Sequence, residues 1–281
     1  MLTNRLNLPQ SIYNAVKNDP YTAGASDISV TSMIAPPYQR RLRRTVEVQE
    51  DVTDRIWALL GSAVHAILER AYINSETTAI VEERLFSEVN GWTVSGQMDV
   101  LDNNVLYDFK VTSVWSRDGK VEWEQQLNLL SALCWRQREI TGDERYEVHK
   151  AQIIPIYRDW VKSKTFDPDY PSAQVGVIEV PLWSRGQQEA FLLERVLAHQ
   201  ADNPMPCTDE ERWKTKSVWA LMKEGRKSAV RLYDHEEQAL DACKGAGKGH
   251  SVVHRPGEYR RCANYCNVSH ACPEWQGGVL F

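Results

Sequence analysis

The longest helical periodicity in the chain covers residues 52–72, where Ile56, Leu60, Ala63, Ile67 and Ala71 recur at helical spacing and predict a core-facing stripe. At 100° per residue, Gly61, His65 and Glu69 fall on roughly the opposite side of that helix. Strand-like patterns follow. Residues 78–89 predict a strand, Asn90-Gly91 a two-residue hairpin turn, and 92–99 a returning strand with Thr93, Ser95, Gln97 and Asp99 on one face. Asp102-Asn103-Asn104 then turns the chain into a strand through Tyr107-Asp108-Phe109-Lys110-Val111. Alternation points Asp108 and Lys110 one way and their three neighbours the other. A helix over about 121–138 carries Leu127, Leu130, Leu133 and Cys134 as a core-like stripe. Strands at about 148–158 and 174–182 and a helix over about 184–199 come next. Upstream, residues 1–30 read as a polar lead-in, and Thr31 or Ser32 as the N-cap of a short helix limited by Pro36 and Pro37. This order predicts an α/β fold, a mixed central sheet flanked by helices.

From about Ala201 the pattern changes. Pro204-Met205-Pro206-Cys207 opens a section with helices expected at 217–224 and 234–242 and a loop-like tail. The expected division is a core over 1–200 and a helical, cysteine-containing C-terminal subdomain over 201–281, packed on that core.

Candidate chemistry lies on the two acidic strands. Asp99 on one, and Asp108 with Lys110 on the next, would converge two carboxylates and an ammonium on one spot. That is a divalent-cation site with a cation beside it, suited to phosphodiester cleavage. His65 and Glu69 form an i,i+4 pair, read either as a solvated pair or as a metal-ligating imidazole with a carboxylate nearby.

The series Gly61-x-x-x-His65-x-x-x-Glu69, Gly96-x-x-Asp99 and Asp108-x-Lys110 resembles the first three motifs of RecB-like nucleases of the PD-(D/E)XK superfamily, over about residues 32–135. Lambda-type exonucleases and the nucleases of CRISPR adaptation are relatives. A helical Gln motif usually follows in that family. Gln126 fits it, while Leu130 stands where a tyrosine is expected. The resemblance implies a restriction-endonuclease-like core. It implies Mg²⁺ or Mn²⁺ held by His65, Asp99, Asp108 and the Phe109 carbonyl, with Lys110 positioning or deprotonating the attacking water. Glu69 would orient a metal-bound water, and Gln126 would anchor Lys110 or a phosphate. The expected activity is that of a metal-dependent DNA nuclease, favouring an exonuclease of phage or bacterial recombination and repair. A CRISPR-adaptation-type nuclease and an inactive DNA-binding protein of the same fold are the alternatives.

Six cysteines occur, three of them, Cys262, Cys266 and Cys272, within eleven residues. Such spacing suits tetrahedral zinc or an iron–sulfur cluster, either needing a fourth ligand, against three reduced structural thiols as the plain alternative. In iron–sulfur relatives an early cysteine completes the set. Here Ala35-Pro36-Pro37 takes that place, and Cys207, in a Pro-rich loop, is the expected fourth ligand ahead of Cys243 and His270. The resemblance favours a 4Fe–4S cluster over zinc, acting as a staple without a catalytic step. Cys134 reads as a small buried hydrophobe.

The net charge of −5 does not advertise a nucleic-acid partner. Local clusters do: Arg40, Arg41, Arg43 and Arg44; Lys214, Lys216, Lys223, Arg226, Lys227 and Arg231; and Arg255, Arg260 and Arg261. Each alone reads as a solvated face, and flanking a nuclease pattern they favour phosphate contacts. DNA is the expected partner, with a single-strand annealing or recombination protein and self-association as further expectations. No long uninterrupted apolar run and no signal-peptide core are present, so a cytoplasmic protein without a membrane segment is expected.

Overall fold

The computed structural model describes residues 2–18, 24–48, 50–73 and 77–275. It is a mixed α/β architecture whose chain divides into two compact units. One comprises 1–35 and 49–202, the other 36–48 and 203–281. The segment 36–48 therefore clusters with the C-terminal residues, whereas the sequence reading kept it with the first domain.

In the first unit, a 3-10 turn over Val52–Arg55 leads into helix α1 (Ile56–Ile73). Strands β1 (Ile80–Val81), β2 (Arg84–Val89), β3 (Trp92–Gln97), β4 (Val100–Asp102) and β5 (Val105–Thr112) follow. Helix α2 (Val121–Thr141), strands β6 (Lys150–Tyr157) and β7 (Ile178–Val180), and helix α3 (Arg185–Gln200) complete it. The main sheet has the order β7-β6-β5-β4-β1. Only β5 and β6 run parallel within it; the other neighbours are antiparallel. A three-stranded sheet pairs β3 antiparallel with β2 and parallel with Ile28–Ser29. Both tight turns carry left-handed residues, Asn90-Gly91 (φ 48° and 77°) and Asn103-Asn104 (φ 49° and 63°), the backbone that two-residue hairpins require.

Helix α2 is the core of this unit. Trp123 and the whole run from Leu127 to Cys134 are buried, more than the expected stripe. Buried Asn128 fixes its position: Nδ2 donates to the Glu124 and Pro181 carbonyls at 2.9 and 3.0 Å, and Oδ1 accepts from the Trp183 amide at 2.7 Å. Strand β3 meets α2 at Gly96, where a Cβ would stand 2.6 Å from Leu130 Cδ2 and 2.8 Å from Leu133 Cδ1. This close approach is the physical reason for glycine three residues before Asp99. Gly96→Ala is expected to cost about 1–3 kcal/mol through overpacking, read as a lower denaturation midpoint; unchanged stability would contradict the contact.

Helix α1 departs from expectation in orientation. Leu60, Ala63, Ile67 and Ala71, expected in the core, are exposed, Leu60 at 40% and Ile67 at 56%. Its half-buried side carries Leu59, Val64 and Leu68 together with His65 and Glu69. The helix is apolar around most of its circumference, so spacing alone does not choose a face. By length and composition Val52–Ile73 is also long and apolar enough to cross a membrane, counter to the expectation from uninterrupted runs. Those criteria do not place a helix in a bilayer, and one side of this one lines an acidic cavity.

The short helix Val30–Ile34 is capped by Ser29, whose hydroxyl accepts from the Ser32 amide at 3.2 Å, not by Thr31 or Ser32. A second helix starts at once over Pro37–Thr45.

In the second unit, the helix expected at 217–224 is a strand, β8 (Val218–Lys223), central in an antiparallel sheet between β9 (Arg231–Tyr233) and β10 (His250–Arg255). Its Ala, Leu, Met and Lys favour helices locally, but pairing on both edges overrides a weak propensity. Helix α4 (Glu236–Ala246) packs on this sheet through buried Ala239.

Candidate metal centre

The site is built where two strands break. Between β1 and β2, Glu82 adopts φ 49°, a left-handed backbone uncommon outside glycine and asparagine. Its amide donates to the Asp99 carbonyl at 2.9 Å, and the Glu83 carbonyl accepts from Met98 at 3.0 Å. Met98 and Asp99 form the matching break between β3 and β4. Asp99 therefore leaves the strand on which the sequence placed it, because β3 and β4 belong to different sheets. The break sends Glu82 toward α1, while Glu83 accepts a 2.7 Å hydrogen bond from Tyr146. Sequence reasoning missed Glu82; the usable signal was an adjacent pair of acids inside a stretch of strand residues.

One ligand atom each from His65, Glu82 and Asp99 lie within 4.8 Å of one another. His65 Nδ1 stands 3.2 Å from Glu82 Oε1 and 3.5 Å from Asp99 Oδ1, and Nε2 lies 3.2 Å from the Phe109 carbonyl oxygen. The Phe109 amide donates to Asp99 Oδ2 at 2.7 Å, which ties the β3–β4 break to β5. Gln97 Nε2 donates to Glu82 Oε2 at 2.7 Å, and Arg84 donates to Gln97 Oε1 at 2.6 Å. Gln97 and Arg84 are further residues that the sequence reading did not assign to the site.

Electrostatics match the crowding. The hydrogen bond to Glu82 raises the His65 pKa, burial opposes, and the charges of Asp99 and Asp108 raise it further. Asp99 is pushed up to about 7, first by burial and then by the charge of Asp108, against the pull of His65, Lys110 and the Phe109 amide.

Asp108 is buried and held by two partners. Lys110 Nζ lies 2.7 Å from Oδ2 and 2.9 Å from Oδ1, and Gln126 Nε2 donates to Oδ1 at 3.0 Å. Lys110 also donates to Gln126 Oε1 at 3.2 Å, so the three side chains lock one another. Asp108, Lys110, Gln126, His65, Glu69, Glu82, Asp99, Gln97 and Arg84 all line one cavity of about 620 Å³. Glu69 reaches the cavity but stands outside the three-ligand group. The arrangement offers hard anionic oxygens and an imidazole to a divalent cation, with an ammonium and a guanidinium beside it for an anionic substrate.

In the second unit, Cys207, Cys262, Cys266 and Cys272 line one small pocket with Tyr38, Leu42, Val268 and Trp275. Burial first, then the neighbouring charges of Glu211 and the other three cysteines, pushes the Cys207 thiol up to about 12. Cys243 lies on α4, and neither it nor His270 lines the pocket. Cys134 is fully buried on α2, with its thiol likewise pushed up to about 12 by burial.

The basic residues of this unit are partly committed to its own structure. On the helix that also carries Arg40, Arg41 and Arg44, Arg43 donates to Asn267 Oδ1 at 2.9 Å. Arg260 and Arg261 begin a short helix over Arg260–Asn264. Arg261 donates to the Glu211 carbonyl at 2.9 Å and lies 4.6 Å over the Trp213 ring.

No protein-family model matches the chain. No curated protein matches it either. Among solved structures, "Crystal structure of SSO0001" is similar at 13% sequence identity and a TM-score of 0.46, over 72% of this chain and 89% of that one.

Proposed function

We propose that this protein is a metal-dependent DNA nuclease of the PD-(D/E)XK type, an exonuclease of phage or bacterial recombination or repair. The observation that carries the reading is the meeting of His65, Asp99, Asp108, Lys110 and Gln126 around one cavity, from four separate elements. His65, Glu82 and Asp99 fit a divalent ion by donor type and separation. The Phe109 carbonyl meets the opposite ring nitrogen of His65 and would orient the imidazole, and Asp108, outside that group and held by Lys110 and Gln126, adds negative charge beside Asp99. A bound Mg²⁺ or Mn²⁺ would polarise the scissile phosphate and acidify a water.

The chain's own groups do the remainder. Lys110, fixed by Asp108 and Gln126, presents its ammonium to charge developing on the phosphate or to the attacking water. Arg84, held by Gln97, adds a second cation on the cavity wall. Gln126 positions Lys110 without needing the tyrosine that Leu130 replaces.

The restriction-endonuclease-like core belongs to the same reading. So does a metal staple in the second unit, for which four convergent thiols are a fitting donor set. Zinc and an iron–sulfur cluster both take such thiolates, and the resemblance favours the cluster. Anaerobically purified protein is expected to be brown, to absorb near 400 nm and to contain iron and sulfide, all lost in Cys266→Ser; colourless, zinc-loaded protein would rule the cluster out.

The nuclease test is direct. Purified full-length protein should shorten linear DNA with Mg²⁺ or Mn²⁺ and stop on addition of EDTA. Folded protein inert with either metal on blunt, recessed and single-stranded ends would refute the reading.

A further inference from the structure

Beside the cavity, aromatic and cationic side chains stand where the proposed chemistry does not use them. Trp57 directly precedes Ala58, a cavity residue, and lies one turn before Gly61, another. It is 55% exposed, and the Arg158 guanidinium lies 4.6 Å from its ring centroid. Trp115 is 85% exposed, on a 3-10 turn (Val114–Ser116) just past the end of β5. The turn is not loosely attached. The Val114 amide donates to Asp159 Oδ1 at 2.8 Å, and the Arg158 amide donates to the Thr112 carbonyl at 2.9 Å. One short segment, Arg158-Asp159, thus holds the turn that presents Trp115 and places a cation on Trp57. Exposed Lys120 lies four residues past that turn, its ammonium 5.1 Å from the Trp123 ring centroid. Its pKa is lowered by desolvation first, then by the positive charges of Arg158 and Lys110, against the opposing charge of Glu122.

We infer that Trp57 with Arg158, together with Trp115, forms a stacking platform for unpaired bases of a DNA single strand, whose phosphates run past Arg158 and Lys120 to Lys110. Both indoles stand on anchored backbone at the same end of the sheet, since Arg158, which covers Trp57, follows the strand end that pairs with Thr112. Flat aromatic faces next to spaced cations complement a strand that alternates bases with phosphates. Every base has a face to stack, so such a platform is indifferent to sequence. In a duplex those faces are already stacked and turned inward, so the platform selects single strands. The cavity lies two residues from the turn's root, since Thr112 follows Lys110 on the same face of β5. The strand would therefore be gripped next to the bond to be cut.

The substrate assignment rests on the nuclease reading, but its readout is binding. Fluorescence anisotropy of labelled oligothymidylate, and of a blunt duplex of equal length, would be measured with the full chain in EDTA. Trp115→Ala and Trp57→Ala are each expected to weaken single-strand binding about tenfold and duplex binding less than about twofold, with Trp115→Phe largely restoring it. Arg158→Ala should weaken single-strand binding and flatten its salt dependence. Trp115 is so exposed that its removal leaves the fold intact, which keeps the test meaningful even if Trp57→Ala unfolds. Single-strand binding unchanged in Trp115→Ala, or duplex binding lost to the same degree, overturns the platform. Wild-type protein that cuts DNA while the variants bind normally discards this inference alone. Wild-type protein that grips single strands through these indoles yet never cuts discards the nuclease reading alone.

Discussion

Replacing Asp108 by asparagine is expected to lower DNA cleavage by a factor on the order of 10³ or more while the protein remains folded. Asp108 is 1% exposed, its carboxylate bonds Lys110 and Gln126, and its charge acts on the neighbouring Asp99. Asparagine keeps the size and one acceptor oxygen, so Lys110 retains a hydrogen-bond partner. It removes the negative charge that would hold a divalent ion and that balances the ammonium. Lost metal stabilisation of several kcal/mol corresponds to the rate factor. Weakening a largely buried charged pair should cost stability on the order of 2 kcal/mol. Circular dichroism separates the two effects, and single-turnover cleavage reads the first. A folded Asp108→Asn protein that cuts at the wild-type rate ends the assignment of this site.

Asp99→Asn is expected to act in the opposite sense on stability. The Asp99 carboxyl is raised from 3.8 to about 7, chiefly because its charge is buried and secondarily because Asp108 is near. A carboxyl raised on folding binds its proton more tightly in the native state. Its contribution is therefore fully present below the unfolded value, near pH 4, and is lost as pH rises through about 7. Asparagine mimics the protonated form at every pH. The variant should match wild type near pH 4 and gain progressively above it, reaching about 2 kcal/mol at pH 8 without metal. The ceiling is ~4 kcal/mol, from roughly three pKa units at 1.36 kcal/mol each. The smaller figure reflects His65, whose raised pKa depends partly on the charge of Asp99 and whose own stabilising share shrinks with it. Added Mn²⁺ should raise the melting temperature of wild type at pH 8 and leave the variant unmoved. A metal-free variant no more stable than wild type at pH 8 would show that the acids are not in conflict.

Much of the architecture was legible because short-range rules decide it. Asn90-Gly91 and Asn103-Asn104 are turns by backbone preference alone, and both are. Helix α2, expected to end near 138, runs on to Thr141 and a left-handed C-cap at Gly142, while α3 begins where expected, with the capping box of Ser184 and Gln187. Spacing also put Asp108 and Lys110 on one face of a strand, and their side chains meet.

Other features depended on partners distant in the chain. The face of α1 was misread because its apolar residues surround the axis, and only contact with β5 chose which side turns inward. The strand at Val218–Lys223 was misread as helix because its two neighbours lie about ten and thirty residues away, beyond any local signal.

The motif residues, their order and the turns between them were thus determined by sequence, since periodicity and backbone preference act within a few residues. Tertiary structure alone decided that both strands break at Glu82 and Asp99. It turned a glutamate with no motif of its own toward His65, and it drew Cys207 to the three late cysteines. Crowding of like charges and convergence of thiols are free-energy costs paid by the packing of whole elements, and no local pattern records them.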